Sequence, residues 1–181
     1  MPIKPIGESS VSTHTVHERH ERCWLTEGIR QVLLPALREQ GFEAVELTDA
    51  ESQGELKTAF PFGRLRRASQ SGLELVEIQL ARHGDPAFRM SAGVVPLAGI
   101  EHAVGHVAAG DAWSSHLPRH YVFYGVPLIG RWFSLWHWPG RRVTQTEIVE
   151  LVNRIAKNVL PEIDTALHTG QCGKHAKQMG V

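Results

Sequence analysis

Histidine is the residue type with the most chemistry on offer, with eleven in 181 residues. His102 and His106, in the string EHAVGH, stand four apart, the spacing that lets two imidazoles share one ion on a helix face. A zincin-type site needs Glu directly after the first His. Here Glu101 precedes it and Ala103 follows, so the metalloprotease signature is absent. His116 and His120 repeat the spacing, but Pro118 between them opposes a regular helix. With Asp111 as ligand or base, these four histidines would make a zinc or other divalent centre for metal-assisted hydrolysis. The plainer reading leaves them as surface or gap-filling side chains on a long insertion, with no cofactor.

Two other clusters are weaker. His14, His17, His20 and Cys23 follow one another at three-residue steps. Each such step turns a helix through about 300°, so Cys23 would face away from His14. His168, Cys172 and His175 resemble half a zinc knuckle, yet they straddle a helix end and a Gly-containing segment. There is no G-x-S-x-G elbow, no P-loop and no G-x-G-x-x-G.

Arginine and tryptophan supply the other candidate surface. Arg64, Arg66 and Arg67 form a short basic run, and Trp132, Trp136 and Trp138 alternate along a stretch with β periodicity. These are residue types enriched where binding energy concentrates. Stacking and charge of this kind also suit single-stranded nucleic acid. The nineteen basic and nineteen acidic residues cancel, however, which removes the surplus that polyanion binding draws on. The leading expectation is therefore a non-catalytic binding module that recognises a protein partner or a small ligand. The metal-dependent hydrolase is the alternative.

The elements that must position these residues read as α+β. Leu25, Ile29, Val32, Leu33, Ala36 and Leu37 fall on one helical face, predicting a helix over 17–40 that Gly41 caps. Pro35 should kink that helix or start a new one. Strands are expected at 42–47, 60–68, 73–81, 88–94, 121–126 and 129–138, with His83-Gly84-Asp85-Pro86 turning the most clearly patterned hairpin. Leu97, Ile100, Val104 and Val107 suggest a short helix within a 97–119 insertion. Thr144-Gln145-Thr146-Glu147 matches a capping box opening a helix that runs to Gly170, interrupted by Pro161. Together these predict an antiparallel sheet of about five strands with both long helices packed on one face. Residues 1–15 read as a loose arm, 16–169 as one domain and 170–181 as a mobile tail.

Apolar residues make up 42% and charged residues 21%, as in ordinary globular chains. Only Cys23 and Cys172 are present, which suits a reducing, cytoplasmic compartment, and no apolar run is long enough to span a membrane. The strings Leu33-Leu34-Pro35-Ala36-Leu37 with Gly41-Phe42, Val76-Glu77-Ile78-Gln79, Phe88-Arg89-Met90 and Gly93-Val94 resemble a bacterial domain family of unknown function, number 4304 in its series. The resemblance spans roughly 24–165 and implies a proline-containing N-terminal helix, a β-meander and a C-terminal helix. It supplies no activity and no catalytic residues.

Overall fold

The computed structural model describes residues 13–102, 105–135 and 143–180, with side chains from His20 onward except those of His83 and His102. The strands are β1 (Glu43–Val45), β2 (Arg64–Ser69), β3 (Gly72–Leu80), β4 (Ala87–Val95), β5 (Ile100–His102), β6 (Gly105–Val107), β7 (Arg119–Phe123), β8 (Phe133–Ser134) and β9 (Ala176–Gly180). The helices are α1 (Thr13–Gly28), α2 (Leu34–Glu39), α3 (Glu55–Ala59), α4 (Gln145–Asn158) and α5 (Leu160–Thr169). This is an α+β fold whose main sheet is wholly antiparallel.

That sheet has seven strands rather than about five, in the order β1-β2-β3-β4-β7-β9, with β8 also paired to β4. The strand missed altogether is β9, which lies in the segment expected to be a tail, whereas β1 falls within the strand expected over 42–47 although its three residues are exposed. The alternation in AKQMG is too polar to announce a strand, and pairing with β7 from Arg119↔Gly180 to Phe123↔Ala176 creates it. The hairpin of β3 and β4 matches the expectation closely, with eight cross-strand pairs from Leu73↔Val95 to Leu80↔Phe88. Of the strand expected over 129–138, Phe133–Ser134 pairs with β4 and Arg131 makes an isolated antiparallel bridge to Val126, while Trp136 and Trp138 lie outside the described residues.

One face of the sheet carries the main core. Val76, Ile78, Leu80, Phe88, Met90 and Phe123 pack there beneath the helices. Each fully buried aliphatic or aromatic side chain contributes about 1.5–3 kcal/mol. The helices contribute Leu25, Ile29, Leu33, Leu37, Val152 and Ile163 to the same cluster. Pro35 is accommodated without ending the N-terminal helix. Residues Ile29–Leu33 form a π segment in which the Leu34 N–H donates to the Ile29 carbonyl five residues back. That extra residue per turn places Pro35 in the first turn of α2, where no N–H is required. Gly41, at φ 87°, caps α2, and the Phe42 N–H returns to the Leu37 carbonyl at 3.0 Å. At the other end Pro161 likewise falls in the first turn of α5, so the break between α4 and α5 costs little and the apolar stripe continues. The capping box is present: Thr144 Oγ1 accepts from the Glu147 N–H, and Glu147 accepts from the Thr144 N–H.

The opposite face is covered by the 97–119 insertion. It is not the expected short helix. Ile100–His102 and Gly105–Val107 pair as a hairpin, and two 3-10 turns follow at Ala109–Asp111 and Ser114–His116. The apolar residues that suggested a helix also satisfy the hairpin, where Ile100 opposes Val107. Gly99, Gly105 and Gly110 weaken the helical alternative. A second, smaller core of Leu75, Val95, Ile100, Ala112 and Leu117 fastens the insertion to the sheet.

Candidate functional site

Because side chains alternate across a strand, partners in register share a face. The face under the insertion carries the row Arg64, Glu77, Ser91, Val122 and Lys177, each opposite the next on the neighbouring strand. Beside it run Gln79 opposite Arg89, and His120 opposite Met179. Gly93 is the small residue that lets the insertion close onto this floor, since a Cβ there would overlap Leu117 Cδ1 and press on His120. Between floor and insertion lies a cavity of about 880 Å³.

Two polar anchors hold the insertion in place. The Glu77 carboxylate, 3% exposed, accepts from the Ser114 N–H at 2.6 Å and from the Ser114 hydroxyl at 2.7 Å. Burial raises the Glu77 pKa, opposed by the Ser114 hydrogen bonds and by the charges of Arg64 and Arg66. Arg64, 2% exposed, donates to Glu51 at 3.0 Å and to the Asp111 carbonyl at 3.1 Å, and its guanidinium stacks on Trp113. The Trp113 indole N–H also donates to Glu51. Burial alone would raise the Glu51 pKa, but hydrogen bonds from Thr48 and Trp113, with the Arg64 charge, bring it below its ordinary value. Phe60 closes this end of the cavity against Trp113, edge to face at 5.0 Å.

The other end is cationic. Arg89 Nε donates to Gln79 Oε1 at 2.8 Å, its Nη1 donates to the Tyr124 hydroxyl at 3.3 Å, and its plane lies over Trp132. His120 stands nearby with its Nδ1 buried and without a hydrogen-bond partner among the described residues. Burial lowers the His120 pKa, the Leu117 carbonyl opposes this, and the positive charge of Arg89 lowers it further.

The residues singled out by sequence are redistributed. His106, His116 and His120 all line the cavity, but each is differently engaged. His106 Nδ1 meets Glu101 at 2.7 Å across the hairpin, and His116 Nδ1 accepts from the Trp113 N–H at 3.2 Å. The side chain of His102 lies outside the description. Among the described residues, no group of three His, Cys, Asp or Glu is arranged to hold a metal ion. Arg64, Arg66 and Arg67 do not form one basic surface. Arg64 and Arg66 face the insertion, whereas Arg67 points the other way and joins Glu74 and Asp164. Trp132 is half buried against Arg89, and Cys23 and Cys172 are exposed free thiols. Sequence reasoning missed Glu77, Arg89, Ser91 and Trp113 as site residues. The polar side of the β4 alternation, Arg89 and Ser91, was the available signal for two of them.

Comparison with family models finds no match, and searches of curated proteins and of solved structures likewise find none. No helix among the described residues is long and apolar enough to cross a membrane.

Proposed function

We propose that the chain is a non-catalytic binding module that holds a small ligand in the cavity between the sheet and its insertion. The observation that carries this reading is a cavity of ligand size, about 880 Å³, whose polar groups are already fixed by neighbours. Arg89 is oriented by Gln79 and Tyr124, and His116 by the Trp113 N–H. Such groups lose little freedom on binding, which favours affinity. The metal-dependent hydrolase would draw on His102, His106, His116 and His120, of which the last three line the cavity, and elemental analysis of the purified protein separates the two readings.

The test is a fragment screen by ligand-observed NMR on the whole chain, repeated on Ser115→Trp. Ser115 is an exposed residue on the cavity rim, so the variant should fold and block the mouth. Hits lost in Ser115→Trp support the reading. No hits, hits indifferent to the rim substitution, or one transition metal per chain in the purified protein would each displace it.

A further inference from the structure

We infer that the ligand carries an anionic head, a carboxylate or phosphate, seated at Arg89 and His120, with an apolar or aromatic body reaching toward Phe60 and Trp113. This rests on the cavity being the binding site.

The argument begins with charge. The acidic groups at the β2 side of the cavity are answered by arginines: Glu51 pairs with Arg64, Glu77 lies within the fields of Arg64 and Arg66, and Asp111 within that of Arg66. Arg89 has no such answer. Its acceptors among the described residues are a neutral amide oxygen and a phenol, and its face is covered by an indole. A guanidinium held in a cavity wall by neutral groups keeps its full charge and offers its remaining N–H groups to a ligand. His120 also lines the cavity, within the field of Arg89, and neither side chain brings a negative charge, so the pair is complementary to an anion rather than to a cation. Ser91, 7% exposed, supplies a hydroxyl in the floor on the same strand as Arg89.

The opposite end has a different character. Phe60 and Trp113 form an aromatic corner above Arg64 on β2, and Leu56 and Val107 also line the cavity. From β2 to β4 is two strand spacings, about 10 Å. An acid with a body of that length fits both ends together.

A charge series tests this on the intact chain: 3-phenylpropionate, phenyl phosphate, 3-phenylpropanamide and 3-phenylpropylamine, followed by tryptophan fluorescence and by NMR. One or both acids should bind at least about tenfold more tightly than the amide, and the amine more weakly still. Whichever acid binds tighter distinguishes a carboxylate head from a phosphate head. Arg89→Gln should abolish the acid preference. Arg89→Lys, which keeps the charge but loses the fork, should retain part of it and serves if the glutamine variant misfolds. An amide or amine that binds as tightly as the acids overturns the inference, as does an acid preference that survives in Arg89→Gln. Binding of the amide that Ser115→Trp blocks would leave the cavity reading standing while this one falls. If none of the four binds up to about 10 mM, a concentration at which even weak fragments register, this inference fails. The cavity reading is then judged by its own screen.

Discussion

Glu77 is a carboxylate almost sealed from water whose direct hydrogen bonds among the described residues come from one serine. Its folded pKa lies above the ordinary value of 4.5, so the native state holds its proton to higher pH than the unfolded chain does. The stability it contributes is therefore present below about pH 4.5 and is lost as pH rises through the folded pKa. Glu51 acts with the opposite sign, since its lowered pKa adds stability above the ordinary value that disappears on acidification. Glu77→Gln removes the first effect while keeping an acceptor for Ser114. In urea unfolding from pH 4.5 to 7.5, the difference between variant and wild type should shift steadily in favour of the variant. A constant difference would show that Glu77 does not titrate in that window. At this scale the sequence was only partly legible. It displayed the histidines openly, but nothing in Val76-Glu77-Ile78-Gln79 says that Glu77 faces Ser114, because that contact joins residues far apart in the chain.

The helices were the most legible elements, because capping and periodicity are local. Thr144→Ala should cost about 1 kcal/mol, read as a lower urea midpoint with unchanged slope. The prolines were legible as interruptions, but not their remedy: the π segment before Pro35 depends on burying Ile29 and Leu33 at 0% exposure against the sheet. The insertion was the least legible. Its apolar residues satisfy helix and hairpin alike, and the choice depends on Leu75 and Val95, which lie in other strands. Gly93→Ala tests how closely the insertion sits. Overlap with Leu117 should destabilise the fold by about 1–3 kcal/mol and shift the resonances of His120.

Across the whole molecule, one arginine ties together parts that are distant in sequence. Arg67 donates to Glu74 on β3 at 2.6 Å, to the Gln40 carbonyl beyond α2 at 2.8 Å and to Asp164 on α5 at 2.8 Å, with its plane over Phe42. Glu74 is 1% exposed, so Arg67→Met leaves a buried charge without its partner and should cost about 3–5 kcal/mol in urea unfolding. Arg67→Met with Glu74→Met should recover most of that loss. A double variant as unstable as the single one would show that the packing over Phe42 matters more than the charge. The strand β9 carries a different implication, for biosynthesis. It covers the β7 edge and brings Met179 into the cavity wall, opposite His120 on a strand made more than fifty residues earlier. A nascent chain that has delivered β1 through β7 from the ribosome still presents an open edge. The cavity becomes complete, and that edge becomes safe from stray pairing, only after Met179 has cleared the exit tunnel.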